Sequence, residues 1–171
     1  MRGIVIRGAG RHFSSGADLD DLRNAVSDRG ARAPALLRNN LSAFGFFENC
    51  GVPVVAAIQG VCLGSAFELA LACHARVCGA GSVLGLPEST FGLMPGCGGI
   101  TRMLSLAGRA RTLELVLSGA TFTAEEALAW NLVDVVTPRK HVIAGAVEMI
   151  ERITAGSAGI QSSGRHETDE G

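Results

Sequence analysis

The chain has 171 residues, 47% of them apolar and 18% charged, and its 15 basic and 16 acidic side chains leave a formal charge of −1. This composition supports one buried core and excludes two classes: a solvated, disordered chain, and a phosphate-backbone binder, which needs a basic excess to displace counterions. No apolar run approaches the roughly 18–20 residues of a transmembrane helix, and Met1 is followed almost at once by the strand-like Ile4-Val5-Ile6, which leaves no room for a cleavable leader. A cytoplasmic protein with no membrane or nucleic-acid partner is expected.

In chain order, Ile4-Val5-Ile6 predicts a buried strand running into the loop RGAGRHFSSGADL, where Gly8, Gly10 and Gly16 permit tight backbone. Asp18 to Arg29 is a polar connection. From Ala35 to Phe47 the apolar residues Leu36, Leu37, Leu41, Phe44 and Phe47 recur mostly three or four apart, the period of an amphipathic helix. Val54-Val55-Ala56-Ala57-Ile58 is a continuous apolar run of strand length that Gln59-Gly60 ends, and such a run means burial on both faces. Ser65 to Ala75 predicts an almost wholly apolar helix, with short strands at Val77 and Val83-Leu84 on either side of Gly79-Ala80-Gly81. Loops follow, marked by Pro87, Gly92, Pro95, Gly96, Gly98 and Gly99; a helix begins near Ile100 and breaks at Gly108, and another covers Arg111 to Leu117. Thr123-Ala-Glu-Glu126 has the form of a capping box and predicts a helix to about Trp130, followed by a strand at 133–136 and a helix from His141 to Ile153. Beyond Thr154 the composition turns to Gly, Ser and charge, so the expected domain is 1–153, with 154–171 a polar tail that lacks the apolar surface to order itself. Strands alternating with helices imply an α/β fold.

Five cysteines, at 50, 62, 73, 78 and 97, form no C-x-x-C pair and read as small buried thiols. Cys73-His74 with Cys78 lacks a fourth ligand nearby, and His12, His141 and His166 show no ligand spacing, so no metal site is expected. Neither GAGRHFSSG nor GCGGITR matches a dinucleotide or phosphate-binding loop, and no G-x-S-x-G elbow occurs. Two carboxylates remain. Glu68 lies between Phe67 and Leu69 in the apolar helix; it either caps that helix, since Ser65-Ala-Phe-Glu68 is S-x-x-E, or is buried as an acid or base. Glu88 follows Pro87 in a Gly- and Pro-rich loop, where it suits the first turn of a short helix. Spacing alone does not bring the two together.

Four segments, RHFSSGADLDDL at 11–22, PVVAAIQGVCLGSAFELALACHARV at 53–77, LGLPESTFGLMPGCGGITRML at 84–104 and LSGATFTAEEALAWNLVDVVTP at 117–138, together resemble the enoyl-CoA hydratase/isomerase (crotonase) superfamily in order and spacing. The resemblance implies a spiral of ββα and βαβ units, short of the family's usual length at both ends. It implies that a thioester carbonyl is held by the backbone amides of Ala17 and Ser65, that Glu68 and Glu88 are the catalytic carboxylates, and that Ser15, Gly16, Asp18, Leu19, Gly64, Pro87 and Gly96 line the substrate. Hydration of a trans-2-enoyl-CoA is the leading activity implied; isomerisation, another reaction through the same enolate, or a catalytically silent member are the alternatives. No cofactor is implied beyond the coenzyme A carried by the substrate, and a homo-trimer or hexamer is implied if flanking segments are present. Two departures stand out: Ser65 and Ala66 replace glycines in the turn before Glu68, and His74 stands where Asp often follows the helix cysteine, a change expected to be structural. Without the family's flanking segments, the 171 residues are expected to show weak or absent hydratase activity.

Overall fold

A computed structural model describes residues 2–18, 20 and 32–163; Leu19, most of the polar connection from Asp18 to Arg29, and residues 164–171 of the expected tail lie outside the described residues. The chain runs β1 (Ile4–Arg7), α1 (Arg32–Glu48), β2 (Val54–Ile58), β3 (Val61–Leu63), α2 (Ser65–Ala72), β4 (Ala75–Gly79), β5 (Val83–Gly85), a 3-10 turn (Pro87–Phe91), α3 (Gly99–Ser118), β6 (Thr121–Thr123), α4 (Ala124–Ala129), β7 (Val135–Thr137), a second 3-10 turn (Arg139–His141) and α5 (Val142–Ser163).

Among the described residues the strands form two sheets. One is parallel, in the order β1-β2-β4-β7, and the other runs β3-β5-β6 with β3 and β5 parallel and β6 antiparallel. The apolar run of β2 is buried at every position because helices cover both its faces. Val54, Ala56 and Ile58 pack with Phe67 and Leu71 of α2, whereas Val55 and Ala57 pack with Val142, Ala146 and Ile150 of α5. The second sheet is tied to this core by edge-to-face rings, Phe67 against Phe122 at 5.6 Å and Phe122 against Trp130 at 5.5 Å.

Several elements differ from expectation for local reasons. The strand ending at Gln59-Gly60 is followed at once by β3, because Gly60 at φ +66° turns the chain into the second sheet. Three-residue strands such as β3 and β6 are too short to show a period. The helix expected to reach Ala75 stops at Ala72, where Ala75 is recruited into β4 and His74 is used at a strand start: Val54 N donates to its Nδ1 at 2.9 Å, and its own N donates to Val54 O. Val133 and Asp134, expected in a strand, precede it: Val133 is buried in the core, Asp134 N donates to Arg76 O, and the strand begins at Val135. α3 is bent at Gly108 (φ 76°, ψ 170°), the position of the expected break, and continues beyond it to Ser118. The helical period expected to end at Ile153 continues to Ser163, the Thr154 hydroxyl donating to Ile150 O at 2.9 Å; no proline interrupts it, and Ala155, Ala158 and Gln161 are acceptable helix formers. Thr123 and Glu126 form the capping box as expected.

Candidate active site

Three parallel segments bring the site together. Ser14 bridges Cys62 in parallel, Phe13 N and Ser14 N donate to Val61 O at 3.1 Å each, and Leu63 N donates to Ser14 O at 3.1 Å. On the other side β3 pairs with β5, Leu63 opposite Gly85, and Gly64 N donates to Gly85 O at 2.9 Å. The residues that follow each segment therefore emerge at one edge: Gly16-Ala17 after the first, Gly64-Ser65 and α2 after the second, and Glu88 after the third. Ligand sites lie outside the carboxyl ends of parallel strands for this reason.

Glycine is required at two of these exits. Gly16, at φ +101°, approaches so closely that a Cβ on it would sit 2.8 Å from Leu63 O and 3.5 Å from Ser65 N. Gly64, at φ 57°, caps α2 with no side-chain hydrogen bond, and a Cβ there would lie 3.2 Å from Glu88 Oε1. The left-handed residue of the turn is thus the glycine this chain retains. Ser65 and Ala66 are already helical, so their Cβ atoms cost the backbone nothing. Phe67 N and Glu68 N are satisfied by Gly64 O, whereas Ser65 N and Ala17 N have no protein acceptor among the described residues.

The two carboxylates meet here in unlike surroundings. Glu68 is 1% exposed, and the S-x-x-E capping alternative fails: its Oε1 accepts instead from Cys97 N and Gly99 N, both at 2.8 Å, at the start of α3. Gly99 admits the carboxylate, since a Cβ there would lie 2.7 Å from Glu68 Cγ. Glu88 sits in the first turn of the 3-10 segment after Pro87, as expected from its local sequence. Burial pushes its carboxyl up to about 7, its own backbone opposes the rise, and the charge of Glu68 adds to it. Glu88 Oε2 is buried without a partner.

Of the other expected substrate residues, Ser15 and Asp18 are exposed in the loop beside Gly16, Pro87 opens the 3-10 turn, and Gly96 is exposed in the loop entering α3. Asp18 Oδ1 accepts from Asp20 N at 2.8 Å. Cys97 was not singled out from the sequence beyond being a buried thiol, yet it lies in the site. Burial and the neighbouring Glu68 push its thiol up to about 11, and Glu88 acts in the same direction. Its legible signal was the run Pro95-Gly96-Cys97-Gly98-Gly99 at a helix start. Cys73 and Cys78 each find other partners, Leu69 O and Gly79 O, and among the described residues no group of three His, Cys, Asp or Glu side chains is placed to hold a metal. No helix among them is long and apolar enough to cross a membrane.

Comparison with known proteins bears on the fold and the family. The chain is 42% identical over 152 residues to the fatty acid oxidation complex subunit alpha of Shewanella loihica, an alignment covering 87% of this chain and 21% of that protein. It superimposes on the enoyl-CoA hydratase of Bacillus anthracis with a TM-score of 0.80 at 33% identity, covering 90% of this chain and 58% of that one. For an enoyl-CoA hydratase from Polaromonas sp. JS666 the TM-score is 0.83 at 28% identity, covering 91% and 60% respectively. The chain therefore spans about a fifth of that curated relative and about three-fifths of these solved structures. The family described as enoyl-CoA hydratase/isomerase matches residues 1–163. Fold, ordered motifs and match together show that the chain belongs to the enoyl-CoA hydratase/isomerase family, with the crotonase fold.

Proposed function

We propose that the site hydrates a trans-2-enoyl thioester of coenzyme A, with Glu68 as base and Glu88 as acid. The observation that carries this reading is the contrast between two adjoining carboxyls: Glu68 receives two amide hydrogen bonds on one oxygen, while Glu88 is held near pKa 7 with an oxygen unpartnered. A pair whose environments differ in this way divides acid from base.

Glu68 takes a proton from water as the water oxygen bonds to Cβ of the enoyl group. The electron pair of the double bond moves into the thioester, whose carbonyl oxygen becomes an enolate oxygen and accepts from Ala17 N and Ser65 N. Donors fixed in advance where charge develops act without reorganisation and typically contribute several kcal/mol, about 3 per donor. The carbonyl reforms as protonated Glu88 delivers its proton to Cα. Proton exchange between the carboxyls and solvent then restores the starting state. Ser15, Gly16, Asp18, Gly64, Pro87 and Gly96 line the acyl thioester in this reading, and no further cofactor takes part.

The test is incubation of the purified chain with a panel of trans-2-enoyl-CoA thioesters in deuterated water. Hydration removes the conjugated thioester absorbance, places a hydroxyl on Cβ and one deuteron on Cα. A double bond moved along the chain with no hydroxyl gained would assign isomerisation instead, and an unchanged panel would remove both.

A further inference from the structure

The loop that holds Glu68, Pro95 to Gly99, contains three glycines and has little side chain of its own to brace it. It is braced from α3 by Arg102. Its side chain is 10% exposed and folds back over Gly98; Nη1 donates to Cys97 O at 2.8 Å and Nη2 to Glu48 Oε2 at 2.9 Å, on the last residue of α1. Gly98 makes this possible. It has φ +91°, and a Cβ there would collide with Arg102 Nη1. Cys97 is consequently held on both sides, its N–H by Glu68 and its carbonyl by Arg102. α1 reaches the same loop twice more, through Asn40 beside the Cys97 thiol and Leu41 beside Gly98.

Arg102 Nε is buried without a partner. A buried cation with a donor left over is an expensive way to fill space, since an apolar side chain packs the same volume at lower cost. What only the fork of a guanidinium supplies is a fixed bridge between two acceptors on different elements.

We propose that Arg102 is a positioning residue: by tying Cys97 O to Glu48, it holds the Cys97 and Gly99 amides against Glu68, so that the seat of α1 sets the seat of the base. The proposal rests on the reading of Glu68 given above.

The experiment uses the full chain with Arg102→Gln, Arg102→Lys, Glu48→Gln and the double variant Glu48→Gln/Arg102→Gln. Amide hydrogen exchange at Cys97 and Gly99 is followed without substrate, with Val55 and Ile58 of β2 as reference, and kcat and KM are measured on one enoyl-CoA. Arg102→Gln is expected to speed exchange at Cys97 and Gly99 about tenfold, the equivalent of one charge-assisted hydrogen bond, while the β2 amides are unmoved. It is expected to lower kcat about 10²-fold with KM held, as for a misplaced catalytic group. Lysine, which reaches one acceptor but does not bridge two, falls between, and the double variant is no worse than Arg102→Gln alone. Unchanged exchange at both amides, equal acceleration in β2, or an unaltered kcat overturns the proposal. Should Arg102→Gln fail to fold, Glu48→Gln carries the same outcomes, because it cuts the bridge at an exposed end. Faster exchange at Cys97 and Gly99 in Arg102→Gln, in a protein whose wild type hydrates no thioester, would reject Glu68 as base and leave the brace intact.

Discussion

Glu68 and Glu88 face one site from two kinds of backbone. Glu68 belongs to a buried helix wedged between two sheets, and one of its oxygens is filled by two amides of a neighbouring helix start. Glu88 belongs to a five-residue 3-10 turn in which it is half-buried, and one of its oxygens is buried without a partner. The fully packed region holds its carboxylate in one place with an oxygen occupied. The looser one raises the cost of charge by burial but provides no compensating donor, so its carboxyl keeps a proton to about pH 7. Packing, more than residue type, thus gives two identical side chains different surroundings, and the proposed division of acid from base rests on that difference.

Exchanging either carboxyl for an amide breaks the comparison most severely. Glu68→Gln still accepts from Cys97 and Gly99 and is expected to fold, yet its amide cannot take a proton from water; Glu88→Gln has none to give. Each is expected to lower kcat by about 10²–10⁴-fold with KM little changed in steady-state hydration assays. Loss of binding and turnover in equal measure would mean that packing has been mistaken for catalysis.

Next in size is Gly99→Ala. The added Cβ meets Glu68 Cγ at 2.7 Å and Oε1 at 2.9 Å, so it displaces the proposed base without touching Glu88. A fall in kcat of about 10²-fold is expected, with a stability loss of about 1–3 kcal/mol from overpacking in thermal unfolding.

The pH response sharpens the contrast. With Glu88 acting as acid, kcat is expected to fall as pH rises through about 7, and Glu88→Gln should abolish that limb. Stability follows the same sign: the folded pKa lies above the ordinary value of 4.5, so the folded state binds more protons than the unfolded one between 4.5 and about 7. The contribution of Glu88 is full below 4.5 and is lost as pH rises through 7, which denaturant titrations of wild type and Glu88→Gln at pH 5 and 8 would read directly. Because Glu68 adds to the rise, Glu68→Gln is expected to lower the Glu88 pKa modestly, as seen by carboxyl carbon NMR.

The smallest effect belongs to a region outside the comparison. Thr123→Ala removes the capping box of α4 and is expected to cost about 1 kcal/mol with hydration unchanged.

The sequence by itself determined the elements whose signal is local: the β2 run with its two buried faces, the α1 period, the break at Gly108 and the Thr123 cap. The ordered motifs around Gly16, Glu68 and Glu88 also carried the family. Tertiary structure alone decided which amides Glu68 meets, that Gly64 is the left-handed residue of its turn, and that Cys97 and Arg102 belong beside the site. The reason is physical. Periodicity and capping depend on neighbours within about four positions along the chain, whereas Glu68 and the amides it accepts from are 29 and 31 residues apart. Such contacts are made by the register of β3 between Ser14 and β5, and three-residue strands carry too few side chains to declare that register in advance.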